Sequence, residues 1–411
     1  MPIYDYIIVG GGISGLFITY QLMKSGKDIL IIESDSEFGG RIRTQYKKNF
    51  QVEKGAARFS ENHHKLLKLI KELNLQDEIL EISNDIEYVY KDKKFKFNRI
   101  EQLKDILLKS KKYNSKCLKN ITLFQLCVDI YDDNKAQMIQ SMFGYDAEFI
   151  KMNAHSAIEM FKGDLLTDDK YFILKTGFSS IIQKLTHLIN ESDNVTVLFN
   201  KKVTDVQDKK IKISDDEIYR GLKIIMTVPY YSLKELSLFQ NVDLIDSVTP
   251  IPLLRIYARY PLKNGKVWFQ GLEKVITDNY IRFIIPINEK DGTIMISYTD
   301  LYYADYWYNW YQCGEDKLNE MLHKEIKSVL KINPPKPLEY KVCYWKGGVH
   351  MWKSGKDMNK IYRKILKPFD DKQIYLCNEA FSKHQCWVEG SLEMATDLLK
   401  KINSKKKTLK K

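Results

Sequence analysis

The order in which strand-like and helix-like hydrophobic patterns follow one another predicts most of the elements. Tyr4 to Val9 is an apolar, β-branched run of strand length. After Gly10-Gly11-Gly12-Ile13-Ser14-Gly15, the apolar positions Leu16, Ile18, Tyr20, Leu22 and Met23 recur at helical spacing, and Asp28 to Ile32 reads as a second strand. Leu66, Leu67, Leu69, Ile70 and Leu73 form the buried stripe of a helix that Ser60 is placed to cap, with His63 and His64 as surface or capping residues of its first turn. Residues 85 to 165 read mostly as helices with lysine-rich connections. Tyr171 to Phe178 leads into a helix from Ser179 to Ile189, followed by strands at Val195 to Phe199 and Leu222 to Val228, the latter stopped by Pro229. From 246 to 345 period two dominates, and Leu254 to Tyr260, Ile281 to Ile285 and Thr293 to Tyr298 are predicted as antiparallel strands of a sheet with one polar face. Tyr302 to Tyr311 holds seven aromatic residues in ten, which suit either packing or the wall of a substrate channel. A final strand from Ile374 ends in the polar turn Asn378-Glu379, and a helix with Leu392, Ala395 and Leu399 on one side follows.

The turn between the first strand and helix is where chemistry enters. Gly10 permits a tight turn, Gly12 lets a backbone approach a pyrophosphate, and Gly15 lets the helix lie close on the strand. Ser14 sits among the free N–H groups at the helix start, which favour an anion. Glu33, at the end of the second strand, can accept hydrogen bonds from ribose hydroxyls, and its charge disfavours a 2′-phosphate there. Strand, glycines, helix, second strand and acid in register predict a dinucleotide site rather than an incidental glycine turn. Glu37-Phe38-Gly39-Gly40-Arg41-Ile42-Arg43-Thr44 then brings a glycine pair and two guanidinium groups past it. Arg41 and Arg43 can pair with phosphate or reach a carboxylate, or they can be solvated surface charges.

Composition narrows the class. At 411 residues the chain can bury a sizeable core as two domains or one large composite. The net charge of +12 is spread over lysines interleaved with acids, except at Ser404 to Lys411, read as a frayed, solvated tail rather than a nucleic-acid or membrane tether. The six cysteines show no CxxC and no metal-ligand spacing, which predicts reduced thiols in a cytoplasmic setting and no metal site. A first strand so near Met1 predicts no signal peptide, and no run has the length of a membrane span.

The pair of motifs GGGISG and FGGRIRT resembles the flavin-containing amine oxidase superfamily, which includes monoamine, polyamine and L-amino-acid oxidases and protoporphyrinogen oxidase. The resemblance implies an α/β fold: a Rossmann-like, NAD(P)-binding-like FAD domain of the glutathione-reductase type (1–84, 170–245 and 346–411) with an inserted α+β substrate domain (85–169 and 246–345). It implies FAD held by Gly10, Gly12, Ser14, Gly15, Glu33, Gly39, Gly40 and Arg41, with the Val203 backbone meeting the adenine. Gln385 to Ser391 resembles the family's C-terminal flavin motif. There Glu379, Trp387, Val388 and the following helix N-terminus meet the ring, and N–H groups stabilise its reduced form. Asn378 stands where the family usually has glycine.

The same resemblance places substrate residues. Arg58, in Gly55-Ala56-Ala57-Arg58-Phe59, matches the arginine that binds the substrate carboxylate in L-amino-acid oxidases. Trp387 and His350 match the two aromatic positions that flank the amine; the surrounding motif favours that role for Trp387 over a core tryptophan, while a satisfied core histidine is as simple an account of His350. Arg255 takes the place of a lysine that holds a water against flavin N5. The implied reaction oxidises an amine or L-amino acid to an imine by hydride transfer to N5, with O2 or another oxidant as final acceptor and no nucleic-acid partner. Two other readings stay open: a same-fold oxidase or desaturase acting on C–C or ring C–N bonds, as in protoporphyrinogen oxidase-like enzymes, and a non-catalytic binding protein that retains FAD.

Overall fold

The computed structural model describes residues 2–48, 50–165 and 170–408. Its first layer is a parallel sheet of Val195–Leu198, β2 (Ile29–Ile32), β1 (Ile3–Val9), Ile218–Met226 and Ile374–Leu376. Val9 pairs with Ile32 and Met226, and Met226 with Leu376, so the carboxyl ends of these strands fall on one line. The residues after them, Gly10, Glu33, Thr227 and Asn378, therefore share one edge of the sheet, where open α/β sheets bind ligands. An antiparallel pair, Val203–Gln207 and Lys210–Ile213, joins Ile218–Met226 on the side where Ile374–Leu376 pairs further along.

Helix α1 (Ile13–Met23) is apolar almost all round, as a helix between two layers must be. It packs against the sheet and against the Ser179–Asn190 and Val388–Thr408 helices, with Leu16 and Ile18 fully buried. Truncating either to alanine is expected to cost about 2–5 kcal/mol. Ser60 is not the cap of the next helix. It pairs with Tyr171 as the end of a short strand, and His63 takes the capping position, its Nδ1 accepting from the Ser60 N–H at 3.3 Å.

The second sheet runs Glu339–Trp352, Val248–Arg259, Thr293–Asp300, Phe283–Asn288, Lys274–Thr277, Ile86–Tyr90 and Lys93–Lys94. It is antiparallel except where Lys274–Thr277 meets Ile86–Tyr90. The expected polar face is absent: Leu254, Ile256 and Ala258 are buried on one side and Tyr257 and Met295 on the other, against Phe50 and Val52. Both faces are covered, so period-two alternation here separates two buried environments rather than core from water. The aromatic run forms most of the Leu301–Gln312 helix. Trp307 is fully buried and donates to the Tyr280 carbonyl, and no residue of the run reaches the cavities described below. Packing, not a channel wall, is its role.

Residues 85–165 are mostly helical as expected, with Asn98, the Thr122–Gln125 capping box and Asp132 fixing three of the helix starts. The Val388–Thr408 helix carries the start of the lysine-rich end into regular structure; the side chains from 404 onward and residues 409–411 lie outside the described part. Among the described residues no helix is long and apolar enough to cross a membrane.

Candidate functional site

Two cavities, of about 470 Å³ and 160 Å³, adjoin, and the larger opens at the carboxyl edge of the parallel sheet. Ala56, Arg255, Tyr298, Val349 and Trp387 are among the residues that line both, so the cavities meet there.

The larger cavity begins at the β1–α1 turn. Gly10 has φ +104°, a left-handed conformation that glycine alone adopts without strain, and a side chain on it would meet the Thr227 hydroxyl. A Cβ on Gly15 would lie 2.0 Å from the Gly10 carbonyl oxygen, which explains the close seat of α1 on β1. A Cβ on Gly12 would meet nothing within 4 Å and would project into open space. Gly12 is also the N-cap of α1 and makes no side-chain cap, so the first N–H groups of the helix are not taken by one. Gly39, with φ +135°, pairs with Gly12 as an isolated bridge, and Gly40 lines the same wall. Glu33 accepts from the Gly11 N–H at 2.7 Å, and from the Asp35 N–H at 2.9 Å and the Ser34 hydroxyl at 3.1 Å. A carboxylate has about four acceptor positions, which leaves Glu33 one further position at the cavity wall.

Arg41 does not stand in solvent. Its Nη1 donates to Glu379 Oε2 at 2.7 Å and to the Gly348 carbonyl at 2.8 Å, while Arg43 pairs with Asp35. Glu379 also meets His350 Nδ1 at 2.9 Å and accepts from the Cys386 N–H at 2.6 Å. Burial alone would raise the Glu379 carboxyl, but the Arg41 guanidinium and the contacts with His350 and Cys386 outweigh it and hold the pKa at about 2. Burial pushes the His350 imidazole below its ordinary value despite the carboxylate. A neutral imidazole whose Nδ1–H donates to Glu379 fits both directions, with Arg41 supplying the charge that keeps Glu379 ionised. Asn378 adopts an extended backbone, φ −154°, and so has no need of glycine. Its side chain accepts from the Ala380 N–H and donates to the Val228 carbonyl.

The smaller cavity is built on Arg58. The segment before it is fixed from the second sheet: Tyr257 Oη donates to the Glu53 carbonyl at 2.8 Å, Trp345 Nε1 to the Lys54 carbonyl at 2.6 Å, and Arg255 to the carbonyls of Glu53 and Gly55. The Arg58 guanidinium lies 5.2 Å from the Tyr171 ring and 5.7 Å from the Trp387 ring. His350 lines only the larger cavity, whereas its neighbours Val349 and Met351 line the smaller one. His350 thus shares the larger cavity with Trp387, which lines both. Arg255 lies where the cavities meet, its Nη1 engaged by the two carbonyls and its guanidinium 4.6 Å from the Tyr298 ring. Val203 and Val388 line the larger cavity, and Val388 opens the last helix. Arg99, Tyr145, Glu148, Lys274 and Asp300 complete the smaller cavity. Nothing in their sequence setting singled them out, because each lies on an element that the sheet brings in from far along the chain.

These features fit FAD. The volume is within the usual range for cofactor sites. The space beside Gly12, the start of α1 and the acid at the end of β2 form one continuous wall. Two buried donor or acceptor atoms in it, Arg43 Nε and His350 Nε2, have no hydrogen-bond partner in the protein.

Known proteins agree. A family model described as flavin-containing amine oxidoreductase matches residues 13–397. The curated relatives include a coproporphyrinogen III oxidase of Propionibacterium freudenreichii subsp. freudenreichii, 40% identical over 74 residues (18% of this chain, 14% of the relative). They also include L-amino-acid oxidases of Sistrurus catenatus edwardsii, 23% identical over 236 residues, and of Lachesis muta, 25% over 234, each match covering 56% of this chain and 42% of the relative. The match thus spans less than half the length of these curated relatives. Among solved structures, wild-type putrescine oxidase bound to putrescine superposes with a TM-score of 0.76 at 16% identity, covering 98% of this chain and 99% of that one. A double mutant of putrescine oxidase, redesigned in its cofactor binding, gives 0.77 at 16%, over 96% and 99%. With the family model running from the first turn of α1 into the last helix, the chain belongs to the flavin-containing amine oxidoreductases, as an oxidoreductase whose cofactor is FAD.

Proposed function

We propose that the protein oxidises the Cα–N bond of an L-amino acid. The observation that carries this reading is the position of Arg58, in the smaller cavity and against Trp387, which lines both cavities. A guanidinium there can form paired hydrogen bonds with a carboxylate. A substrate held by it has its α-carbon directed to the junction with the larger cavity. Trp387 and Tyr171 flank the guanidinium, and Phe143, Met160 and Phe161 supply apolar walls that exclude water. FAD, when bound, is the two-electron acceptor. The amine loses two electrons and two protons, the resulting imine is hydrolysed to a 2-oxo acid and ammonia, and dioxygen or another two-electron oxidant restores the cofactor.

Gly12, the N-terminus of α1, Glu33, Arg41 and Val388 are the residues we assign to holding FAD. Trp387 and Arg58 bind the substrate, Arg255 holds the Glu53–Gly55 carbonyls that lead to Arg58, and His350 faces the cofactor side. Six cysteines outside any disulfide suit a reducing compartment such as the cytoplasm.

Oxidation of a tetrapyrrole or a related ring has one supporting observation, the short match to a coproporphyrinogen oxidase. At about 160 Å³ the smaller cavity lies below the usual range for drug-sized ligands, which favours the amino acid. Anaerobic mixing with L-amino acids and with the amines that lack their carboxylate tests the choice. Bleaching of the flavin by the amino acids in preference to the amines is expected, and preference for the amines would overturn it.

A further inference from the structure

Besides Arg58, two more cations line the smaller cavity, and they come from unrelated parts of the chain. Arg99 is the first residue of the Arg99–Ser110 helix, whose start Asn98 fixes by accepting from the Ile100 and Glu101 N–H groups. Lys274 opens the strand Lys274–Thr277. Neither forms an ion pair with a carboxylate among the described residues. Arg99 meets the hydroxyl of Tyr88, and the Lys274 ammonium lies 5.5 Å from the Phe283 ring.

Among the described residues, two acids line the cavity, Asp300 and Glu148. Asp300 accepts from the Asp146 N–H at 3.1 Å and the Ala147 N–H at 2.8 Å, so it is used in fixing that turn. Burial, and then the nearby Asp146, push its carboxyl up to about 7. Glu148 is the other acid lining the space. Against these stand Arg99 and Lys274, beside Arg58 and Arg255, which have contacts of their own, with Tyr145 and Tyr298 as neutral neighbours. Desolvation, and then the charges of Arg58 and Arg99, push the Lys274 ammonium well below its ordinary pKa. An anion beside Arg99 and Lys274 offsets that cost and favours the charged ammonium.

Resting on the amino-acid reading above, we propose that the substrate is an L-α-amino dicarboxylic acid whose second carboxylate is bound by Lys274 and Arg99. Arg58 takes the α-carboxylate and the two further cations take the distal one. The chemistry at Cα is that already described: two electrons and two protons leave the amine, with FAD as the electron acceptor, and hydrolysis of the imine gives a 2-oxo dicarboxylic acid and ammonia. The small volume restricts the spacer to a short chain, and a diamine meets repulsion where the acid meets attraction.

The test uses the FAD-loaded full chain under anaerobic conditions. L-glutamate and L-aspartate are compared with L-glutamine and L-asparagine, which match them in shape and lack the charge. The acids are expected to be favoured by about tenfold or more in the ratio of bleaching rate to dissociation constant, the scale of one charge-assisted hydrogen bond. Lys274→Met and Arg99→Met are each expected to shrink that preference through the dissociation constant, and Lys274→Arg to restore part of it. Acids bleaching no better than amides, or a preference unchanged in both variants, overturns the proposal. If only apolar amino acids bleach the flavin, the dicarboxylate inference falls and amino-acid oxidation stands. If no amino acid bleaches it, amino-acid oxidation falls, and titration with glutarate, followed by the flavin spectrum, decides the anion site alone: binding weakened by Lys274→Met keeps it, and no binding removes it.

Discussion

Arg41 and Glu379, 338 positions apart in sequence, meet at 2.7 Å and tie the segment after β2 to the turn that follows the last strand of the parallel sheet. Glu379 is enclosed with 5% side-chain exposure, while Arg41 keeps 28%. Removing one partner of a buried pair strands the other charge, at a cost of about 3–5 kcal/mol, and the exposure of Arg41 places this pair at the low end. Arg41→Met is expected to lower unfolding stability in urea by ~3 kcal/mol and to weaken FAD retention. A change under ~1 kcal/mol would show that Glu379 is held by its other partners.

The same pair sets a pH dependence. Glu379 stays ionised in the folded protein down to about 2, whereas an unfolded glutamate titrates near ~4.3. Its contribution to stability is complete above the unfolded value and is lost as pH falls from there toward the folded one. Glu379→Gln is therefore expected to flatten the stability curve in that acid window, read from urea midpoints. A variant curve parallel to the wild type would remove Glu379 as the source.

Two glycines of the same turn should fail differently. Gly12→Val has open space before it, so the apoprotein is expected to fold and to lose FAD. Gly15→Val drives a side chain into the Gly10 carbonyl, so the fold itself is expected to suffer. Circular dichroism and the absorbance of the purified proteins separate the two. A yellow, folded Gly12→Val protein contradicts the pyrophosphate assignment.

Arg58→Ala is expected to weaken binding of an L-amino acid by at least about tenfold while sparing the amine that lacks the carboxylate. Equal losses for both would return Arg58 to a structural role beside Tyr171 and Trp387.

Arg255→Lys tests how the Arg58 segment is held. Arg255 reaches both carbonyls through Nη1 and the Tyr298 hydroxyl through Nη2, and the single ammonium of a shorter lysine cannot hold both sets of contacts. A loss of about 1.5–3 kcal/mol in urea, with a higher dissociation constant for substrate, is expected. Unchanged stability with an altered rate of cofactor reoxidation would instead favour the role that the family resemblance suggests, beside the ring.

The dinucleotide half of the site was legible in the sequence because its requirements are local. Gly10, Gly12, Gly15 and Glu33 sit within one strand, turn, helix and strand, and their spacing carries the chemistry. The second sheet was readable as strands but not as an environment, since alternation at Tyr257 looks the same whether the outer face meets water or Phe50. Which cavity His350 faces depends on the register of its strand with Val248–Arg259, which no local pattern fixes. Arg99, Lys274 and Asp300 left no signal at all, being ordinary charged residues until three elements converge on one cavity.

The most direct test of the central claim is anaerobic stopped-flow reduction of the FAD-loaded protein by an L-amino acid with hydrogen or deuterium at Cα. The account predicts bleaching by the L form and not the D form, with slower bleaching of the deuterated substrate because the Cα–H bond breaks in that step. Bleaching at the same rate with either isotope would separate cofactor reduction from that bond, and a flavin left oxidised by every amino acid and amine would contradict the account.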